Sequence, residues 1–168
     1  MFGLRIKDRT GQHTNQFSLY FGPIFDDISH FQWIVAWDCF FCPIDDKECE
    51  EFDRIFENLE IAQEANFWSS KTPLIPALAP YVQDDWNDLF AFLNLPEDPS
   101  SWCKNYWFEP SRRRFVKETT EVAFLNVDGA YWEVLCNCGA LLAKVKDGLA
   151  NHPDLEVVEI SHETCSGL

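Results

Sequence analysis

The strongest constraint on the fold is the turn Asp128-Gly129, which separates two stretches with strand patterns, 121–127 and 130–136. A two-residue Asp-Gly connection between such stretches is typical of an antiparallel hairpin. An amphipathic helix over residues 139–150 and a strand over 155–160 are predicted to follow. The C-terminal third is therefore predicted to fold as β-β-α-β. The inward positions of the predicted helix are Leu141, Leu142, Val145 and Leu149.

The N-terminal section also favours strands. Residues 4–7 are predicted to form a short strand, and 16–22 alternate apolar and polar side chains, which predicts a second. Residues 31–41 are almost continuously apolar, which predicts a strand covered on both faces. Residues 26–29 between them have turn composition.

The middle section favours helices. One helix is predicted from Asp45 or Asp46 to about residue 66, and a second from about 82 to 93. Prolines between and after these helices exclude regular structure there, and residues 100–115 are predicted to be irregular. The prolines concerned are Pro73, Pro76, Pro80, Pro96 and Pro99.

Length and element order together predict one domain over residues 1–168. A chain of 168 residues fits a single domain, and 46% hydrophobic residues exclude intrinsic disorder. Strands followed by helices and again by strands predict an α+β fold. We expect a mainly antiparallel sheet of about five to six strands with about three helices packed on it.

The charge balance excludes some classes of function. The chain carries 28 acidic residues and 13 lysines and arginines, a formal net charge of −15. Direct nucleic-acid binding and docking on anionic membranes depend on basic side chains, so we expect neither. Charges at positions 5, 7, 8 and 9 interrupt any secretory signal, and no apolar stretch is long enough for a membrane helix. The expected location is cytoplasmic.

Five acidic residues form a stripe along the first predicted middle helix. They are spaced by three or four residues, so they share one helix face away from the apolar face. A solvated surface is one interpretation of this acidic stripe, and a docking surface for a basic protein is the other. The acidic stripe consists of Glu50, Asp53, Glu57, Glu60 and Glu64.

An aromatic segment precedes a basic one. Trp102, Tyr106, Trp107 and Phe108 come before Arg112, Arg113, Arg114 and Lys117. Tryptophan, tyrosine and arginine are enriched at interface hot spots, so Trp102, Tyr106 and Trp107 are candidate partner-binding residues. The alternative is that the aromatic rings complete the core while the arginines neutralise carboxylates.

The seven cysteines allow two further interpretations besides buried free thiols. Cys39-Phe40-Phe41-Cys42, at the end of a predicted strand, resembles the redox site of thioredoxin-like proteins, a resemblance limited to about thirty residues. Cys39 and Cys42 with Cys136 and Cys138 are also candidate ligands for zinc. The one-residue spacing of the second pair is unusual for structural zinc, so we expect no metal and no cofactor.

The sequence lacks the usual catalytic and nucleotide-binding motifs. We therefore expect an interaction protein rather than an enzyme. Its most concrete form is a bacterial immunity or antitoxin-like inhibitor that binds a basic effector through the acidic stripe and exposed aromatic residues. One alternative is a small-ligand protein or enzyme with a pocket near His30 and Asp27. The other is a nucleic-acid mimic. The sequence leaves the oligomeric state open.

Overall fold

The structure, a computed structural model, describes residues 3–11, 17–36, 40–43, 61–64, 67–71, 82–85, 88–127 and 129–161, with the backbone alone in 40–43, 61–64 and 82–85. These residues form an α+β fold built on an antiparallel sheet, as predicted. They contain eight strands in the main sheet and more helices than the sequence suggested.

Ten strands are described. They are β1 (Gly3–Asp8), β2 (Gln32–Ala36), β3 (Phe40–Pro43), β4 (Ile61–Glu64), β5 (Phe67–Ser70), β6 (Val82–Asp85), β7 (Asp88–Phe92), β8 (Val122–Val127), β9 (Tyr131–Cys136) and β10 (Leu155–Ile160). The main sheet has the order β10-β1-β9-β8-β7-β2-β5-β4, while β3 and β6 form a separate two-stranded ladder. Every described pairing is antiparallel.

Helices cover both faces of the main sheet. They are α1 (Phe17–Phe21), a 3₁₀ turn (Gly22–Ile24), α2 (Phe25–Ile28), α3 (Pro99–Phe108), α4 (Arg112–Thr119) and α5 (Gly139–Leu149). We call the side that packs against α1, α2 and α5 the α5 face, and the other the α3 face. Trp33, Phe124 and Trp132 are fully buried on the α5 face, and Ile34, Phe90 and Ala123 are fully buried on the α3 face.

The C-terminal third has the predicted β-β-α-β order, but three residues rather than the predicted two connect the strands of its hairpin. β8 and β9 form a hairpin closed by the pair Val127 and Tyr131, and Gly129 has a φ of 64°, which glycine adopts without steric cost. β10 completes the motif by pairing with β1. All four inward positions predicted for the helix are buried in α5, namely Leu141, Leu142, Val145 and Leu149.

The prediction of a strand over residues 16–22 is wrong. Phe17, Tyr20 and Phe21 are buried at the i, i+3, i+4 spacing of a helix, and α1 packs them onto Phe124 and Trp132. Positions 17 and 21 are apolar in both the strand and the helix pattern, so this short segment did not discriminate between the two periods. The turn predicted at 26–29 overlaps α2.

The helix predicted over residues 82–93 is also wrong, because β6 and β7 occupy this stretch. Leu89 and Phe90 are both fully buried, and they lie on opposite faces of the sheet. A strand covered on both faces is apolar throughout, and its pattern resembles that of a buried helix. The end of the other predicted helix, at 61–64, is the edge strand β4, and residues 44–60 lie outside the described residues.

The long strand predicted over 31–41 corresponds to β2 and β3, with residues 37–39 outside the described part of the chain. Trp33, Ile34 and Val35 have no exposed surface, which confirms that both faces of this strand are covered.

Residues 100–115 are helical rather than irregular. Asp98 caps α3 by accepting a hydrogen bond from the Ser101 amide at 2.9 Å, and Pro99 occupies the first helical position. Pro99 therefore begins a helix and does not mark the end of the one predicted over 82–93. An aspartate followed by proline is typical of a helix start. The aromatic segment therefore lies on a helix.

Candidate partner-binding site

A buried carboxylate lies between the sheet and α4. Glu133 on β9 has no exposed surface, and both of its oxygens accept hydrogen bonds. Arg113 on α4 donates to Oε2 at 2.6 Å and to Oε1 at 3.0 Å. Arg5 on β1 donates to Oε1 from Nε at 3.0 Å and from Nη2 at 2.7 Å, and its guanidinium lies 4.7 Å from the centre of the Tyr131 ring. Arg113 thus neutralises a buried carboxylate, as one interpretation of the basic segment predicted, and Arg5 from β1 shares that carboxylate.

A second buried carboxylate fixes α3 on the sheet. The Tyr106 hydroxyl donates to Oδ2 of Asp88 at 2.5 Å, and the backbone N–H of Asn126 donates to Oδ1 at 3.2 Å. Burial raises the pKa of the Tyr106 phenol, and the neighbouring charge of Asp88 raises it further. The phenol therefore stays protonated and acts as the donor.

Strand register shows where this contact lies in the molecule. Asp88 is the first residue of β7 and pairs with Ala36, the last residue of β2. The chain leaves β2 after Ala36 and enters β7 at Asp88, having contributed β4 and β5 to the sheet edge and β3 and β6 to the second ladder. Ala36 and Asp88, which flank residues 37–87 in the sequence, thus lie in one strand pair, and Tyr106 bonds to its Asp88 member.

These residues carry most of the negative charge. We call residues 37–87 the acidic excursion, since they contain 12 acidic residues and 3 basic ones, a net charge of −9 out of −15 for the chain. The rest of the chain contains 16 acidic and 10 basic residues. The charge is therefore concentrated in the part of the sequence between β2 and β7.

The C-terminal end of α3 presents aromatic surface. Phe108 is 85% exposed, the highest exposure among the large apolar side chains described. Trp107 beside it is half-buried, and the Arg112 guanidinium lies 5.3 Å from the Trp107 ring and 5.6 Å from the Tyr106 ring. Arg112 also donates to the Trp107 carbonyl at 3.3 Å. We call Trp107, Phe108 and Arg112 the α3 terminus.

The predicted partner-binding residues are distributed unevenly. Trp102 and Tyr106 are buried against Phe90, so their rings belong to the core, while Trp107 is partly accessible. Glu64 lies in the edge strand β4 and thus not on the predicted acidic helix. The other members of the acidic stripe, Glu50, Asp53, Glu57 and Glu60, lie outside the described residues.

The four cysteines considered for zinc belong to different parts of the fold. Cys136 lies on β9 in the main sheet, and Cys42 lies in the separate β3–β6 ladder. Burial raises the pKa of the Cys136 thiol, which accepts a hydrogen bond from the Cys138 amide at 3.1 Å. Cys39 lies outside the described residues. No group of three or more His, Cys, Asp or Glu side chains arranged for a metal occurs among the described residues.

Cys42 does not stand at the end of its strand. It lies within the β3–β6 ladder and pairs with Gln83, unlike the position that the thioredoxin-like resemblance implies.

Near the alternative site, the described contacts of Asp27 are with a lysine. Both Asp27 oxygens accept hydrogen bonds from Lys144 on α5, at 2.7 and 2.9 Å. His30 is exposed, and its ring centre lies 4.2 Å from that of Phe31. The Asp27 carboxylate is therefore directed to a lysine that joins α2 and α5.

Sequence reasoning did not identify Asp88 or Glu133 as site residues, and it included Phe108 only as one member of the aromatic segment. A signal existed for the two carboxylates, because Glu133 interrupts the apolar strand YWEVLC and Asp88 directly precedes the apolar residues of DLFAF. An acidic residue at such a position requires buried donors. Phe108 had no comparable signal, since its exposure depends on where α3 ends.

Comparison with known proteins gives no relative. No protein-family model, no curated protein and no solved structure matches this chain. Among the described residues, no helix is both long and apolar enough to cross a membrane.

Proposed function

We propose that this chain is an interaction protein that binds a basic protein, in its most concrete form an immunity-type or antitoxin-like inhibitor of a cationic effector in the bacterial cytoplasm. The observation that supports this proposal most is the concentration of charge in the acidic excursion, 12 acidic residues against 3 basic ones. Localised charge of one sign attracts a partner of the opposite sign and raises its association rate.

The local organisation supports binding rather than solubility alone. Charge that serves solubility works when it is spread over a surface with both signs interspersed. Here 9 of the 15 net negative charges lie in residues 37–87, which form less than a third of the chain.

The acidic stripe provides the test. The double change Glu57→Lys and Glu60→Lys raises the net charge by four at the centre of the stripe. The control, Asp147→Lys with Asp154→Lys, makes the same change at two exposed positions of the C-terminal third. The immobilised chain is used to purify a salt-released cationic protein from the source cells, and association rates are measured at several salt concentrations.

We expect the stripe variant to associate about tenfold more slowly at low salt and with a flatter salt dependence. The control variant should stay within about twofold of the parent chain, because its changes lie outside the excursion. Equal effects of both variants, or no effect of either, would contradict the proposal. Displacement of the partner by duplex DNA would indicate nucleic-acid mimicry instead.

A further inference from the structure

Two cysteines lie at the corner between β9 and α5. Cys136 is the last residue of β9 and is 3% exposed, whereas Cys138 directly precedes α5 and is exposed to solvent. Both carry free thiols, and the chain bends at Asn137 between them. The corner therefore combines a thiol that a dissolved reagent can reach with a thiol that the fold shields.

The Cys136 sulfur is directed toward residue 138. It accepts a hydrogen bond from the Cys138 amide nitrogen at 3.1 Å and lies 3.8 Å from the Cys138 carbonyl oxygen. The Cys138 sulfur is joined to that same nitrogen through Cα and Cβ, so rotation about the Cα–Cβ bond changes the separation of the two sulfur atoms. A disulfide requires two side chains that start this close together.

The Cys138 side chain can turn without the loss of a helix cap. It occupies the capping position of the 11-residue helix α5 but makes no capping hydrogen bond. Asn137 is held instead, because its Nδ2 atom donates to the Lys117 carbonyl at the end of α4, at 3.2 Å. The main chain of the corner is thus fixed, while the Cys138 side chain is not needed to fix it.

The two thiols differ in their exposure to an oxidant. Burial raises the pKa of the Cys136 thiol, and the hydrogen bond from the Cys138 amide lowers this pKa only in part. A buried, protonated thiol reacts slowly with dissolved oxidants. Redox-sensitive sites combine an accessible cysteine with a second cysteine that resolves its oxidised form. Cys138 has the position of the first, and Cys136 has the position of the second.

We infer that Cys136 and Cys138 form a reversible disulfide when the chain meets hydrogen peroxide, so that the β9–α5 corner is a site of oxidative modification. The inference does not depend on the proposed function. It assigns a role to a cysteine pair that the proposed binding of a basic protein does not use.

The reaction proceeds in two steps. The Cys138 sulfur attacks one oxygen of the peroxide, an S–O bond forms, the O–O bond breaks, and the leaving hydroxide takes up a proton to give water. Cys136 then attacks the resulting sulfenic acid, an S–S bond forms, the S–O bond breaks, and a second water leaves with the Cys136 proton. The two sulfur atoms together lose two electrons, which reduce the peroxide.

The small ring makes this disulfide reversible. Only Asn137 separates the two cysteines, so the disulfide closes a short loop. Strained or exposed disulfides have more oxidising potentials than structural ones and are reduced by other thiols. Dithiothreitol is therefore expected to restore both thiols.

Peptide mapping after peroxide treatment tests the inference on the full chain. The reduced protein is treated with hydrogen peroxide, its remaining thiols are blocked with N-ethylmaleimide, and its peptides are analysed by mass spectrometry. The variants are Cys138→Ser and Cys136→Ala, each also treated in the presence of dimedone, which traps sulfenic acids. Cys103 is the internal control, because it is 2% exposed and is the one cysteine of α3.

We expect the peptide that contains Cys136 and Cys138 to lose two hydrogen atoms and to regain them with dithiothreitol, while Cys103 keeps its thiol. Dimedone should label Cys138 about tenfold more in Cys136→Ala than in the parent chain, because no thiol then resolves the sulfenic acid. In Cys138→Ser the Cys136 thiol should stay reduced, since burial shields it from the peroxide.

Other outcomes would overturn the inference. Sulfinic acid at Cys138 of the parent chain without the disulfide, or a disulfide from Cys138 to a different cysteine, would show that Cys136 is not its partner. Equal oxidation of Cys136 in Cys138→Ser and in the parent chain would contradict the order of the two steps. A Cys138 thiol that survives peroxide unchanged would contradict the modification itself. Cys138→Ser changes an exposed side chain, so the test decides the question even if Cys136→Ala does not fold.

Discussion

Beneath α3 and α4 the sheet contributes two carboxylates, and each accepts hydrogen bonds from a helix that covers it. Glu133 binds Arg113, and Asp88 binds Tyr106. The α5 face has more buried aromatic side chains, and its buried polar atoms are paired less completely. Three of its buried polar atoms lack a hydrogen-bond partner among the described residues, namely Tyr20 Oη, Trp33 Nε1 and Asn126 Nδ2.

The difference shows two ways of attaching helices to one sheet. Apolar contacts are non-directional, so the α5 face obtains stability from buried area and tolerates a few unpaired donors. Hydrogen bonds to buried carboxylates have a required geometry and fix the position of a helix more closely. On the α3 face, directional hydrogen bonds join the helices to the sheet.

The largest expected effect is at Arg113, whose side chain is 11% exposed. Arg113→Met removes two hydrogen bonds from the fully buried Glu133, which leaves the carboxylate with Arg5 alone. We expect the free energy of unfolding to fall by about 3 kcal/mol, measured by urea denaturation. Arg114→Met is the control, because Arg114 pairs with Glu118 on the helix surface, and we expect no measurable change.

Arg5 gives this comparison a second control. Its side chain is 41% exposed, so solvent screens part of its interaction with Glu133. Arg5→Met should therefore lower the free energy of unfolding by less than Arg113→Met does. A larger loss at Arg5, or a stable Arg113→Met variant, would mean that the salt bridge does not hold α4 on the sheet.

Tyr106→Phe should have an intermediate effect. The change removes one hydroxyl and leaves the buried Asp88 with the Asn126 amide as its remaining partner among the bonds described above. Loss of a hydrogen bond to a buried carboxylate costs about 2 kcal/mol, so a clear fall in the urea midpoint is expected. An unchanged midpoint would show that this bond does not fasten α3.

Tyr20→Phe makes the same chemical change on the α5 face and should have the smallest effect. The Tyr20 hydroxyl is buried without a partner in the described structure, so its removal relieves a desolvation cost. We expect the unfolding free energy to stay constant or rise by up to about 1 kcal/mol. A loss equal to that of Tyr106→Phe would show that the two faces are not distinguished by their polar contacts.

The sequence predicted the C-terminal third well, because its signals are local. The Asp-Gly turn and the spacing of Leu141, Leu142, Val145 and Leu149 each specify one element without reference to the rest of the chain. The middle section failed because Leu89 and Phe90 owe their burial to helices on both faces of the sheet. A short apolar segment that is buried on both faces has no alternation of polar and apolar residues, so its periodicity does not distinguish a strand from a helix.

The candidate site was predictable only in part. Its residue types were recognised from the sequence, and so was the possibility that some aromatic rings complete the core. Trp102 is buried and Phe108 is exposed because only one face of α3 meets β7. The sequence predicted an irregular segment there, so it gave no helix face from which this difference could be inferred. The link from Asp88 to Tyr106 depends on register, which follows from the assembled sheet.

The placement of β1 between β9 and β10 has a consequence for synthesis of the chain. The ribosome makes β1 first, yet both of its neighbours come from the C-terminal third, with Arg5 and Glu133 separated by 128 positions. β1 must therefore wait for nearly the whole chain before it can pair, and contacts of such long range slow folding. Until then both of its edges are open to other strands, so a nascent chain that stalls before residue 131 exposes an unpaired strand to aggregation.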